Sequence, residues 1–118
     1  MTTRINEVNT LTQASNSSKM HDYRMHLRTI TDGLVEMAKA AGRSNYTCNQ
    51  LLRECYNLID VELKTYKQWK EEGAYIRKGQ HAYLFWGAPI TNEEGVRYFP
   101  VEFRFAREQV RFREVNAL

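Results

Sequence analysis

The first strongly patterned segment of the chain is an apolar stripe with helical spacing. Its members recur at steps of four and three residues: Tyr23, Leu27, Ile30, Leu34, Met37 and Ala41. This spacing places them on one face of an α-helix, and Gly42 follows where a glycine commonly ends one. Residues 1–18 are rich in Thr, Ser and Asn and have little periodicity, which predicts a flexible N-terminal arm. Residues 19–118 are then predicted to form a single domain.

Two shorter helices are predicted next. Leu51, Cys55 and Leu58 have helical spacing, which indicates a helix over residues 48–57. A third helix is predicted to begin at Thr65, because Thr65 and Gln68 have the spacing of a capping box. On this helix Trp69 is expected to belong to the core, since large aromatic residues supply much of a small domain's buried area.

The period changes to two after Gly73, which predicts strands. Residues 74–78 and 82–87 are expected to pair across a hairpin-like turn, and residues 97–106 alternate as a half-buried strand does. The tail from Arg107 is typical of a short helical turn or a last edge strand. The fold class predicted is α+β, with three N-terminal helices followed by a small, mainly antiparallel sheet.

Composition and charge narrow the possible functions only slightly. The 118 residues carry 17 Lys and Arg against 14 Asp and Glu, a net charge of +3, which is weakly basic for a nucleic-acid-binding protein. No apolar run has the length of a membrane span or a signal peptide, so a cytoplasmic protein without a membrane partner is expected. Cys48 and Cys55 are too far apart on one helix for a disulfide and are expected to be reduced, packed thiols.

Motifs for catalysis are missing. His21, His26 and His81 do not have the spacing of a zinc site, and the chain contains no phosphate-binding glycine loop or nucleophile motif. We therefore expect no enzymatic activity, no metal, no cofactor and no small-molecule substrate.

A mixture of cations and aromatic rings between Lys64 and Tyr83 is the most informative chemical feature. The cations are Lys64, Lys67, Lys70, Arg77 and Lys78, and the rings are Tyr66, Trp69, Tyr75 and Tyr83. A second basic cluster consists of Arg104, Arg107, Arg111 and Arg113. Single-stranded nucleic acid is bound by such mixtures, because cations contact phosphates while flat side chains stack on bases. The alternative is a protein-interaction module that uses the aromatic residues 83–86 and has little affinity for DNA.

Three blocks of the chain resemble the N-terminal domain of ArdC-type antirestriction proteins and related domains of phages and conjugative elements. The first contains Tyr46 and residues 49–52, and the third extends from Tyr98 to Val110. The most specific block reads TYKQWKE from Thr65, then Gly73 and the Ile-Arg-Lys-Gly of residues 76–79. Together they cover about residues 20–112. This chain has Gln80-His81-Ala82 where the family commonly continues with Glu-Lys-Gly.

The resemblance implies a non-catalytic domain that binds single-stranded DNA with little sequence preference, carried on mobile genetic elements. Long family members add a metallopeptidase-like domain, whose zinc motif does not occur in this chain. Lys67, Lys70, Arg77 and Lys78 are the expected phosphate contacts, and Tyr75 or Tyr83 the expected stacking ring. Asn49 lies at a helix start and is expected to bind either backbone or DNA, with backbone favoured.

Overall fold

The structure, a computed structural model, describes residues 13–113, with side chains from residue 19 onward. This part of the chain is α+β, with helices α1 (Gln13–Ala40), α2 (Cys48–Cys55) and α3 (Tyr66–Glu71). The strands are β1 (Leu63–Thr65), β2 (Ala74–Ile76), β3 (Tyr83–Trp86), β4 (Ile90–Thr91), β5 (Arg97–Tyr98), β6 (Val101–Ala106) and β7 (Val110–Phe112). A 3₁₀ turn, Arg107–Gln109, separates β6 from β7.

The strands form three small antiparallel sheets where the sequence predicted one. The central sheet has the order β1-β6-β3, β2 pairs with β7, and β4 pairs with β5. The predicted hairpin between residues 74–78 and 82–87 is wrong, because β2 and β3 belong to different sheets. After β2 the chain turns, with the Gln80 N–H donating to the Arg77 carbonyl at 3.2 Å, and Gln109 then bonds to both sides of that turn.

Helix α1 starts earlier than predicted and its buried face differs at the C-terminal end. It begins at Gln13, inside the segment predicted as a flexible arm, while residues 1–12 lie outside the part that the structure describes. Leu27, Thr31 and Ala38 are buried, whereas Met37 is 68% exposed. The helix ends at Ala40, and the predicted stop at Gly42 is present just beyond it: Gly42 has a φ of 73° and allows the Arg43 N–H to reach the Ala38 carbonyl at 2.7 Å.

Capping boxes begin both short helices. The predicted box of α3 is confirmed, with the Gln68 N–H donating to Thr65 Oγ1 at 3.2 Å and the Thr65 N–H donating to Gln68 Oε1 at 2.9 Å. Thr47 and Gln50 form the same arrangement at α2, a signal that was present in the sequence but was not used.

Two hydrophobic clusters hold these elements together. Leu27, Leu52 and Phe85 join α1 and α2 to the central sheet, and Trp69, Ala74 and Val110 join α3 to the β2–β7 pair. The core position predicted for Trp69 is confirmed, and its indole N–H donates to the Phe105 carbonyl at 2.9 Å. Cys48 and Cys55 are free, but both are exposed, so the expectation of packed thiols is wrong.

The helices within residues 13–113 include none with the combined length and apolar character needed to cross a bilayer.

Candidate nucleic-acid interface

The two-stranded β2–β7 ribbon has one buried and one exposed face. Ala74 and Val110 point inward, against Trp69 of α3. Tyr75 is paired in register with Arg111, and both alternate to the opposite face, where Tyr75 is 41% exposed. A half-exposed aromatic ring and a cation therefore lie side by side on the exposed face of a hydrogen-bonded pair of strands.

Further cations flank Tyr75 because the ribbon's hydrogen bonds continue beyond both strand ends. The Arg113 N–H donates to the Gly73 carbonyl at 2.9 Å, and the Arg77 N–H donates to the Gln109 carbonyl at 2.8 Å. Arg113 and Arg77 thus stay in register with Arg111 and Tyr75, and the Arg113 guanidinium lies 5.7 Å from the Tyr75 ring centroid.

Arg77 and Lys78 extend this face into the turn after β2. The Arg77 guanidinium donates to the Glu108 carbonyl at 3.0 Å, so a neutral acceptor orients it without neutralising it. Gly79 follows with a φ of 85°, a conformation that L-residues with a side chain rarely adopt. We call the set Tyr75, Arg77, Lys78, Arg111 and Arg113 the ribbon surface.

The cations of the ribbon surface carry no ion pair to any carboxylate among the described residues. Lys64 is the contrasting case, since it pairs with Glu72 and, at 2.9 Å, with Glu62. Hydrogen bonds to these two carboxylates raise the pKa of Lys64 above its ordinary value. Among the described residues, the cations of this region therefore comprise a lysine paired with two carboxylates and arginines that pair with none.

Lys67 and Lys70 are not brought to the ribbon surface. Trp69 buries its side chain against the inner face of the ribbon, and at about 100° per residue Lys67 points roughly 160° away from it. Lys70 is exposed on α3 about 100° around the helix from Trp69, with its ammonium 6.0 Å from the Tyr66 ring centroid. These two predicted contacts therefore belong to the exposed surface of α3 and not to the strands of the ribbon.

Tyr83 lies on the central sheet, apart from Tyr75. It is half-buried, and its ring centroid is 5.3 Å from that of Tyr56. Its neighbour Phe85 is fully buried and Trp86 is half-buried beside Arg24, so residues 83–86 do not form the exposed aromatic surface that the alternative prediction placed there. Exposed apolar residues lie instead around β4 and β5, at Ile90, Val96 and Phe99.

Asn49 binds backbone, as favoured from the sequence. Its side-chain NH₂ donates to the Trp86 carbonyl at 2.8 Å, and its oxygen accepts from the Trp86 N–H at 3.0 Å. The amide thereby occupies the open edge of β3, where the Tyr56 hydroxyl also donates to the Leu84 carbonyl at 2.9 Å. Asn49 joins α2 to the sheet and has no free group directed at the ribbon surface.

Arg111 and Arg113 are the residues that sequence reasoning left out of the site. They were noticed as a basic cluster, but only strand pairing shows that they flank Tyr75. In the sequence, Arg111 and Arg113 alternate with Val110 and Phe112, which indicates a strand. This alternation does not identify the strand that pairs with it.

No group of three or more His, Cys, Asp or Glu side chains within the described residues is arranged to hold a metal ion. Comparisons with protein-family models, with curated proteins and with solved structures found no match.

Proposed function

We propose that this chain is a single-stranded DNA-binding domain of a mobile-element protein, and that the ribbon surface is its binding site. The observation that carries the proposal is the placement of Tyr75 among Arg77, Arg111 and Arg113 on one exposed face. Unpaired guanidinium groups contact phosphates, and a rigid ring between them is available for stacking on a base.

The resemblance of residues 65–79 to antirestriction domains supports the same function. The Arg77-Lys78-Gly79 segment, which belongs to the most specific block of that resemblance, lies at the edge of the ribbon surface. Contacts to phosphate and to ring faces do not distinguish one base from another, so binding is expected to be tolerant of sequence.

The first test measures the fluorescence anisotropy of a labelled single-stranded oligonucleotide over a range of salt concentrations. Binding by the wild-type protein is expected to weaken steeply with salt, because phosphate contacts release counterions. The Arg77→Ala/Lys78→Ala variant should bind several-fold more weakly at low salt. Its slope of log K against log salt should fall by about 1.4, the value for two lost contacts to a single strand.

The Lys67→Ala/Lys70→Ala variant is the matched control, because it also removes two positive charges, but from the exposed surface of α3 and not from the ribbon. It is expected to keep nearly wild-type affinity, with only the small loss that a lower net charge produces. Equal weakening in both variants would show that binding depends on total charge and not on the ribbon surface. Absence of binding by the wild-type protein at low salt would refute the proposed function.

A further inference from the structure

An open groove of about 440 Å³ lies between α1 and the central sheet. Aromatic and imidazole side chains dominate its lining, which includes Tyr23, His26, His81, Tyr83 and Phe103. None of the residues that line it carries a carboxylate. We call it the α1 groove.

The rings in the α1 groove are held in fixed positions. Tyr23 meets Phe103 edge to face, with ring centroids 5.3 Å apart and an interplanar angle of 82°. Tyr83 is held by its contact with Tyr56. At the outer end the Lys19 ammonium lies 5.3 Å from the Tyr23 ring centroid, which adds a cation beside the ring. A flat heteroaromatic group attached to an anionic backbone matches this lining in both shape and charge.

The α1 groove adjoins the ribbon surface through one residue, Gln109. Its backbone carbonyl accepts the Arg77 N–H at 2.8 Å, and its buried side chain donates to the His81 carbonyl at 2.7 Å. Arg77 on the ribbon surface and His81 in the groove are therefore bonded to the same residue. Lys78 lies in the turn between them. A DNA strand that leaves the ribbon surface therefore meets a further cation before it reaches the groove.

A larger cavity of about 580 Å³ on another side of α1 is less suited to binding a DNA strand. Asp32 lines it, and its Arg24 is already held by the Phe99 carbonyl at 2.6 Å and by the rings of Trp86 and Tyr98. The lining of the α1 groove, in contrast, contains no carboxylate and no arginine that is already bound by other parts of the fold.

We infer that the α1 groove receives one unpaired base of the DNA strand whose phosphates lie on the ribbon surface, and that this groove adds to the preference for single strands that stacking on Tyr75 provides. The inference rests on the proposed function. Cations alone bind single-stranded and duplex DNA alike, but a base can enter a groove only after it leaves its stack and its pairing partner. Duplex DNA must break a pair to use the groove, whereas a single strand does not.

The test fills the groove and compares two DNA forms. Ala82 lines the groove, and Ala82→Phe places a ring where the base is expected. The variant should bind single-stranded DNA about tenfold more weakly, within the range known for loss of one stacked base, while its duplex affinity stays at the wild-type value. Ala88→Phe is the matched control, since Ala88 is exposed and does not line the groove; its affinities should not change.

The outcomes distinguish a failure of the groove inference from a failure of the proposed function. If Ala82→Phe has the wild-type circular dichroism spectrum and its preference for single strands equals that of the wild-type protein, the groove is not the base site, although the ribbon surface can still bind DNA. Wild-type protein that binds neither DNA form would overturn both. Should Ala82→Phe fail to fold, photocrosslinking of wild-type protein to an oligonucleotide containing 5-iodouracil decides the question. Crosslinks at Tyr23, Tyr83 or Phe103 support the groove, and crosslinks confined to other residues overturn it.

Discussion

Lys64 and Arg77 show how the surroundings of a single side chain decide its role. Both are cations of the same basic and aromatic segment. Lys64 lies 4.7 Å from the Trp69 ring centroid and pairs with Glu62 and Glu72, so its charge serves the packing of α3. Arg77 donates to the Glu108 carbonyl and forms no ion pair with a carboxylate among the described residues, so its charge is not neutralised there. Their shared positive charge and their place in the same segment do not distinguish these two roles.

Tyr56 is the residue for which we predict a pH effect on stability. Partial burial, and secondarily the nearby Cys55, raise the pKa of Tyr56 above its ordinary value. A raised pKa in the folded protein favours the protonated form, so this contribution to stability is full below the unfolded pKa and is lost as pH rises through the folded pKa. We expect the wild-type protein to lose stability above about pH 10, where tyrosine ionises in unfolded chains.

Urea denaturation at pH 7 and at higher pH, with Tyr56→Phe as the comparison, measures this effect. The variant loses the hydrogen bond to the Leu84 carbonyl and should be about 0.5–1.5 kcal/mol less stable at pH 7. Its stability should then fall less with rising pH than that of the wild-type protein. Parallel pH profiles for the two proteins would show that other groups, such as the Lys64 ion pairs, cause the alkaline loss.

At the scale of elements, α3 is the helix most dependent on its ends. It has six residues, fewer than an isolated helix needs for stability in water, so it relies on its capping box and on burial of Trp69. Because Trp69 packs on Ala74 and Val110, α3 also supports the inner face of the ribbon. The ribbon's exposed face therefore depends on a helix that contributes no residue to it.

We predict that Thr65→Ala lowers the free energy of unfolding by about 1 kcal/mol, the usual effect of losing an N-cap side chain. Thr65→Ser should restore most of the stability, because serine keeps the oxygen that accepts the Gln68 N–H. Chemical denaturation of the three proteins measures both effects. Equal destabilisation by Ser and Ala would mean that the methyl group of Thr65, and not its hydroxyl, is what the helix needs.

At the scale of the whole molecule, the two hydrophobic clusters differ in how many half-buried apolar side chains pack against them. Half-buried residues of α1, β1, β3 and β6 surround the first cluster, whereas among the described residues Ile76 and Phe105 pack against the second. The cluster of Leu27, Leu52 and Phe85 connects two helices to the central sheet, whereas Trp69, Ala74 and Val110 connect one short helix to two three-residue strands. Local opening takes less free energy where fewer buried apolar contacts must be broken. The ribbon is therefore the part of the fold that we expect to open first.

Amide hydrogen exchange measured by NMR tests this expectation. Amides of β6, the central strand, should exchange more slowly than those of β2 and β7 in the free protein. Addition of single-stranded DNA should slow exchange in the ribbon, because a ligand that binds only the folded form stabilises it. Similar exchange in both sheets would contradict the predicted difference in stability between the clusters.

The sequence was a good guide wherever the determining interactions are local. Gly42 and the box of Thr65 and Gln68 follow from spacing over a few residues, and the core position of Trp69 follows from the size of its side chain. It was a poor guide to strand pairing, because alternation predicts a strand without specifying its partner. The predicted hairpin between residues 74–78 and 82–87 was wrong for this reason. For the same reason, Arg111 and Arg113 were missing from the predicted site.

The sequence by itself determined the presence of three helices, the positions of Gly42 and of the Thr65–Gln68 cap, and the residue types of a cationic and aromatic surface. Each of these depends on backbone conformation and side-chain chemistry within a short stretch of chain. Only the tertiary structure decided that Tyr75 faces Arg111, that Lys67 lies on the other side of α3, and that Asn49 is used by the backbone of Trp86. Those outcomes depend on contacts between distant segments, which form only when burial of the two clusters brings the segments together.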